Sequence, residues 1–160
     1  MRKYMLGMVI MTILFSCGEE DERQDKSYNV QQSLLIDLVN EVRTKGCKCG
    51  SKTMPPVGVL QWNSKLANAA LKHSKAMEDK NFFAHKGKDG TKPSERVDAA
   101  GYAWRACGEN IAKGQRNEQE VMEGWLKSVG HCKNIMNPDF EELGVARSGE
   151  YWVQVFATSK

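Results

Sequence analysis

The N-terminal segment constrains this chain most, because it decides the compartment in which the rest must fold. Two basic residues, Arg2 and Lys3, precede an apolar stretch that ends at Phe15. A basic start, a short apolar core and small residues before a cleavage point are typical of a secretory signal. The stretch is too short to span a bilayer, which needs about 20 residues. We therefore predict that residues 1–16 direct export and are then removed.

The end of this signal resembles the lipobox of bacterial lipoproteins. The sequence Leu-Phe-Ser-Cys ends at Cys17, and the resemblance implies cleavage before Cys17 and acylation of its thiol. Several acyl chains on one cysteine make anchoring stable, since each buried methylene contributes about 0.8 kcal/mol. The acidic run from Glu19 to Glu22 cannot bury a core. Residues 17–30 are therefore predicted to be a flexible acidic tether.

The acidic run also bears on where an anchored domain would lie. Acidic residues directly after a lipid-bearing cysteine resemble the surface-export signals of some Bacteroidetes lipoproteins, although a solvated tether is a sufficient explanation. We expect a lipoprotein of the cell envelope that is anchored in the outer membrane. The domain could lie on its periplasmic face or on the cell surface. An uncleaved anchor, or an ordinary signal with a chance cysteine, is the alternative at Cys17.

Residues 31–160 have the length and composition of one globular domain. Hydrophobic residues make up 41% and charged residues 27% of the chain, a balance that is not typical of disordered or fibrous proteins. The formal net charge of +3 falls to +1 once Arg2 and Lys3 leave with the signal. A chain so close to neutral offers no electrostatic case for a nucleic-acid partner. We expect a monomer that contacts the membrane through its anchor and binds a small ligand.

Helical patterns come first along the domain and strand patterns come last, with no regular alternation of the two. This order predicts an α+β domain with an antiparallel sheet. Apolar spacing and capping residues predict four helices, a loop after the first of them and a closing hairpin of two strands. The helices run from near Val30 to Gly46, from Asn63 to Asn81, from Ser94 to Ala100 and from Asn117 to before Gly130; the loop is Cys47–Pro56; the strands are Leu143–Arg147 and Tyr151–Ala157.

Four cysteines remain when the lipid-bearing one is set aside, namely Cys47, Cys49, Cys107 and Cys132. An exported protein meets an oxidising compartment, so disulfides are expected. A bond between Cys47 and Cys49 would close a strained small ring. The two other connectivities both join the loop after the first helix to Cys107 and Cys132, and both stay open. A metal site at the two close cysteines is less favoured, because four-thiolate zinc sites usually contain a C-x-x-C pair.

Two of the three histidines are candidate functional residues. His73 lies near the apolar stripe of a helix and is predicted to be packed in the core, whereas His85 and His131 each follow a helix in a predicted loop. Glu109 lies in a Gly-Glu-Asn segment ahead of an apolar pair. Two imidazoles and a carboxylate suit a divalent metal such as zinc, with one position open for water. Without a metal, the carboxylate could instead orient a histidine.

Several segments together resemble the CAP superfamily of cysteine-rich secretory proteins, antigen 5 proteins and pathogenesis-related proteins. The similarity extends from about Ser33 to Ala157, and the segments occur in the family's order. The residues after His131 resemble the compact bacterial branch. The segments that carry the resemblance most clearly are Phe83-Ala84-His85, Gly108-Glu109-Asn110-Ile111-Ala112 and Gly124-Trp125-Leu126-Lys127-Ser128-Val129-Gly130-His131.

The resemblance implies a three-layer α-β-α sandwich with a central antiparallel sheet. It also implies a cleft of two histidines and two acidic residues, which in some members binds zinc or another divalent cation. His85, Glu109 and His131 match three of those positions, and Asn110 lies beside them in the same segment. The second acidic residue is replaced by Ser128, so the four-residue site is incomplete here.

Three functions are compatible with this set of residues. In the first, the cleft is a binding site for a divalent metal, a peptide, a lipid or a glycan of the envelope. In the second, a metal on His85 and His131 activates water and Glu109 acts as base, which would make a hydrolase or peptidase. In the third, Ser128 is a nucleophile with His131 as its base. The missing second carboxylate favours binding over hydrolysis.

Overall fold

The computed structural model of this protein describes residues 28–160. The predicted signal at residues 1–16, the predicted acylation site at Cys17 and most of the predicted tether lie outside the described residues. Between residues 28 and 160, no helix is long and apolar enough to cross a membrane.

We label five helices and six strands in residues 28–160, and the three longest strands lie in the second half of the chain. The helices are α1 Gln32–Lys45, α2 Ser64–Asp79, α3 Pro93–Ala99, α4 Glu118–Lys127 and α5 Val129–Ile135. The strands are β1 Cys47–Cys49, β2 Lys52–Met54, β3 Gln61–Trp62, β4 Trp104–Lys113, β5 Glu142–Ser148 and β6 Tyr151–Ser159.

The central sheet has the order β3-β5-β6-β4, which leaves β4 at one edge. Strand β6 pairs with both β4 and β5 in antiparallel fashion, as predicted for the central sheet, and β5 and β6 form the predicted hairpin. Gly149 turns that hairpin with a positive φ of 52°, a conformation that glycine adopts at no steric cost. The two-residue strand β3 adds a parallel partner to β5 at the other edge, a detail that the hydrophobic pattern did not predict.

The helices cover both faces of this sheet, which gives the α-β-α layering that the family resemblance implied. Gly144 on β5 and Glu109 on β4 are both paired with Val155 on β6, so the three residues lie on the same face of the sheet. Helix α2 packs on that face, with its backbone close to Gly144. Asn110 is on the opposite face of β4, where α5 contacts it through the backbone of His131. Alternation along β4 therefore sends neighbouring side chains to different helical layers.

Side-chain caps set the start of two helices where the sequence predicted them. The side chain of Asn63 accepts from the backbone N–H groups of Lys65 and Leu66, and that of Asn117 accepts from Glu120. Each cap satisfies backbone donors that have no partner within the helix.

Two local predictions were wrong. The segment predicted as a loop over Cys47–Pro56 contains the hairpin of β1 and β2, because Gly50 with φ of 63° permits a tight turn between them. His131 was predicted in a loop but lies in the seven-residue helix α5. The backbone becomes extended at Ser128 and then resumes a helix, which buries Cys132 and Ile135.

A buried arginine joins α1 to the segment after α5. Arg43 is fully buried and donates to the carbonyl oxygens of Gly58, Ile135, Asn137 and Phe140, at 2.6 to 3.1 Å. Burial lowers the pKa of Arg43 to about 10. Its hydrogen bonds compensate the desolvation of the guanidinium, since a buried charge without partners is costly. The position of α5, and hence of His131, depends on this cluster.

Replacing Gly144 with alanine should destabilise the domain. A Cβ atom at Gly144 would overlap the backbone of Ala67 and Leu66 in α2, so the helix would have to move away from the sheet. We expect the free energy of unfolding of Gly144→Ala to fall by about 1–3 kcal/mol in denaturant titrations. Gly58→Ala is the matched control, because nothing lies within 4 Å of the added atom. Equal stability of the two variants would contradict the close approach of α2.

Candidate functional site

Glu109 is the centre of the candidate site. Its side chain is only 2% exposed, and both of its carboxylate oxygens are engaged. Oε2 accepts from Nη2 of Arg96 at 2.7 Å, and Oε1 lies 2.8 Å from Nδ1 of His85. An ionised carboxylate can only accept hydrogen bonds, so Nδ1 of His85 carries the proton. In the neutral imidazole, Nε2 is then the free nitrogen, and it is available as a ligand or a base.

Arg96 fixes the loop that carries His85 as well as the carboxylate. It lies on α3 with a side chain 5% exposed. Besides Glu109, its guanidinium donates to the carbonyl oxygens of His85, at 2.9 Å, and of Thr91, at 3.1 Å. One buried cation therefore positions the backbone of the His85 loop and the carboxylate that orients the His85 ring.

His73 is a core residue, as predicted, and it supports the loop that carries His85. It is 1% exposed, and its Nε2 lies 2.9 Å from the carbonyl oxygen of Ala84. A carbonyl can only accept, so Nε2 is the protonated nitrogen. Burial is the main cause that lowers the pKa of His73, which favours the neutral ring. His73 therefore anchors the residue that precedes His85.

His131 lies on the other side of the edge strand. Its backbone carbonyl accepts a hydrogen bond from Asn110 Nδ2 at 3.2 Å. Asn110 Nδ2 also donates to Oε1 of Gln154 at 3.0 Å, and Asn110 Oδ1 accepts from Nδ2 of Asn134 at 2.9 Å. Burial lowers the pKa of the His131 imidazole, and the nearby His85 lowers it further, because two neighbouring imidazoles disfavour a second positive charge. His131 is thus held as a neutral imidazole at neutral pH, within electrostatic reach of His85.

The two histidines reach the cleft from different layers. Glu109 and His85 belong to the face of the sheet that carries α2 and α3, whereas His131 belongs to α5 on the opposite face. Because β4 is the edge strand, a site that uses both histidines would lie across the sheet edge. The His85 side chain is 51% exposed, so its ring is open to solvent or to a ligand.

The donor set fits a divalent cation in part. His85 and His131 each offer an imidazole nitrogen, the kind of donor that zinc and similar ions prefer. Both oxygens of Glu109 are already bonded, so next to a metal Glu109 would orient His85 and would not bind the ion itself, an arrangement common around protein-bound zinc. In the described part of the chain, the one group of three ligand atoms close enough to hold a metal consists of cysteines. A cation in the cleft would therefore have two protein ligands.

Ser128 lies at the junction of α4 and α5, where the missing second acidic residue would stand. Its side chain makes no capping bond, and its carbonyl accepts from the backbone N–H of Cys132 at 2.8 Å. Among the hydrogen bonds between residues 28 and 160, none joins the Ser128 hydroxyl to His131. The nucleophile hypothesis therefore gains no contact from the structure.

One of the predicted disulfides is present. Cys49 and Cys132 are bonded and connect β1 to α5 beside His131. Cys47 and Cys107 are free thiols, so the expectation that Cys107 forms a disulfide was wrong. Cys107 lies two residues before Glu109 and shares its face of β4, whereas the β1 hairpin is tied to α5 on the opposite face. The sheet thus separates Cys107 from the other three cysteines.

Sequence reasoning missed Arg96 altogether, and it did not predict that His73 supports the loop that carries His85. Arg96 is one of two buried residues in the short helix α3, and nothing in its local pattern marks a buried arginine. A search for a cation to pair with the buried carboxylate would have indicated it, since ionised groups are seldom buried alone.

The chain belongs to the CAP family. The model of the cysteine-rich secretory protein family, CAP, matches residues 36–156, which include all the residues of the cleft. The Bacillus subtilis protein YkwD is 35% identical over 132 residues, which are 81% of this chain and 48% of that protein. This chain spans less than half the length of the curated relatives it matches.

Solved structures agree with this assignment. An extracellular protein of Bacillus anthracis with an SCP domain superposes with a TM-score of 0.73 at 29% identity, covering 89% of this chain and 44% of that one. An outer surface protein of Borrelia burgdorferi gives a TM-score of 0.68 at 20% identity, covering 80% of this chain and 92% of that one. At that lower identity, the likeness supports the fold alone.

Removing the buried guanidinium of Arg96 should lower the free energy of unfolding far more than removing an exposed guanidinium. Arg96→Met leaves the carboxylate of Glu109 buried without its charged partner, and we expect a loss of about 3–5 kcal/mol in the free energy of unfolding. The matched control is Arg105→Met, whose partner Glu141 lies 3.3 Å away with both side chains more than half exposed. That change should cost less than about 1 kcal/mol. Similar losses in urea titrations would show that the Arg96 pair is not a dominant interaction.

Proposed function

We propose that this protein is a lipid-anchored CAP domain of the bacterial cell envelope, and that its cleft binds a divalent cation through His85 and His131. Zinc is the ion that best suits two imidazole nitrogens. The ion's remaining coordination positions would be open to water or to a donor group on a small envelope ligand, such as a peptide or a glycan. The cleft would in this way recognise its ligand through the metal.

The observation that carries this proposal is the chain of contacts from Arg96 through Glu109 to His85. It is built from buried groups, yet it ends on an imidazole that is half exposed. A purely structural ion pair would not need a histidine at its open end. The carboxylate fixes the ring and its tautomer, and both are requirements for a metal ligand.

A metal-dependent hydrolase is the second candidate. It would need a carboxylate free to accept a proton from metal-bound water. Glu109 is not free, because Arg96 and His85 occupy both of its oxygens, and Ser128 stands where a second carboxylate would be. Binding without turnover is therefore the better supported function. A peptidase screen in the presence of zinc that shows turnover would reverse this order.

Calorimetric titration with zinc tests the cation site. The protein is kept oxidised and carries Cys17→Ser, Cys47→Ser and Cys107→Ser in every arm, so that free thiols outside the cleft do not contribute. We expect one ion per chain, with binding abolished in His85→Ala and in His131→Ala. Glu109→Gln should weaken binding about 10- to 100-fold, the usual cost of losing a carboxylate that orients a ligand histidine. The control is Lys133→Ala, an exposed residue of the same helix as His131.

Two outcomes would overturn the cation site. One is equal zinc affinity in the parent protein and in both histidine variants. The other is affinity that does not fall on acidification below about pH 6.5, where an ordinary imidazole takes up a proton. The lowered pKa of His131 should keep that ligand available further into the acid range than an unperturbed histidine.

The anchor is tested separately, by expressing the chain with and without Cys17→Ala in a host that acylates lipoproteins. The unsubstituted chain should incorporate labelled fatty acid and sediment with membranes, and the variant should do neither. Protease added to intact cells then distinguishes the two faces of the outer membrane. Equal membrane association of the two chains would exclude the acyl anchor and leave the cleft proposal unaffected.

A further inference from the structure

Three cysteine sulfurs lie together beside the cleft, although only two of them are bonded. Cys47 and Cys49 are two residues apart on β1, so strand alternation places both side chains on one face. Cys132 reaches them from α5. The Sγ atom of Cys47 lies 3.7 Å from that of Cys132 and 4.0 Å from that of Cys49. Cys49 and Cys132 are fully buried, and Cys47 closes the cluster towards solvent.

The position of Cys47 does not favour exchange with the disulfide. Exchange requires a thiolate to attack one sulfur along the axis of the S–S bond. Cys47 is nearly equidistant from both sulfurs and therefore lies beside that bond, not on its extension. Burial also raises the pKa of the Cys47 thiol, which keeps it protonated and a poor nucleophile. The third sulfur needs another explanation.

The sulfur separations match those around a tetrahedral zinc ion. With Zn–S bonds of about 2.3 Å, tetrahedral geometry places neighbouring thiolates roughly 3.8 Å apart. The two separations that involve Cys47 already have this size. Only Cys49 and Cys132 are too close, because they are bonded to each other. Reduction of that single bond would give three sulfurs at zinc-binding distances.

We propose that Cys47, Cys49 and Cys132 form a zinc site when the disulfide is reduced, with water as the fourth ligand. A dithiol reductant supplies two electrons and two protons, becomes a disulfide itself, and leaves Cys49 and Cys132 as thiols. Zinc then binds with release of the three thiol protons. The resulting centre carries one negative charge.

This site is separate from the histidine cleft and does not depend on it. Its ligands are thiolates, whereas the cleft offers imidazoles, and only the thiolate site requires reduction of the disulfide. They adjoin in sequence, since His131 precedes Cys132. The reduced cluster would let α5 remain tied to β1 by a metal when the disulfide is absent.

Cobalt(II) provides the direct test, because thiolate ligands give it an intense charge-transfer band that imidazole ligands do not. The full chain is used with Cys17→Ser in every arm, reduced and handled without oxygen. We expect one thiolate-bound cobalt ion per chain, with a charge-transfer band and tetrahedral d–d bands, in addition to any ion that the histidine cleft binds. Zinc should displace this cobalt ion and remove its thiolate band. Cys47→Ser, which leaves Cys49 and Cys132 in place, should lower the affinity for cobalt at least tenfold.

Two further arms make the result specific to this cluster. Cys107→Ser is the matched control, a free cysteine on the other face of the sheet, and it should bind cobalt as the parent does. The double variant His85→Ala, His131→Ala should also keep the thiolate band, whatever the outcome for the cleft. The proposal is overturned if the reduced protein shows no thiolate band at one equivalent of cobalt. It is equally overturned if Cys47→Ser retains the band at unchanged affinity.

Discussion

The buried ion pair between Arg96 and Glu109 is the interaction on which the cleft depends. A carboxylate that is 2% exposed on an edge strand requires a cation beside it, and that cation must come from the neighbouring helix. Once Arg96 is in place, its remaining donors fix the carbonyl of His85, and the second oxygen of Glu109 fixes the His85 ring. Charge compensation in the core thus determines the orientation of a side chain at the surface.

Much of the fold could be predicted from local signals, because those signals are local in origin. Asn63 and Asn117 cap helices through bonds within three residues, and the β5–β6 hairpin follows from alternation and a glycine turn. Helix α5 was missed because its cause is tertiary. Burial of Ile135 and the carbonyl contacts of Arg43 stabilise a second helix directly after Ser128, at a position where glycine predicts an end.

The cysteines show which part of the site needs the three-dimensional structure. Sequence and compartment predict disulfides, but the choice of partner depends on which face of the sheet each sulfur meets. Cys107 and Glu109 share a face by simple alternation, and this relation could have separated Cys107 from its expected partners. The pairing of Cys49 with Cys132, and the third sulfur of Cys47 beside it, required the contact between β1 and α5. The role of Arg96 was hidden for a similar reason, since no sequence pattern records which helix lies beside an edge strand.

The positions of His85 and His131 on opposite sides of the edge strand β4 have a mechanical consequence. His85 moves with the α2 and α3 layer, and His131 moves with α5 on the opposite side. Bending within one layer leaves their separation nearly unchanged, whereas a sliding of one layer over the sheet relative to the other changes it directly. The distance between the two imidazole rings therefore changes mainly when one helical layer slides relative to the other. A ligand that binds both rings would stiffen the domain against that sliding motion.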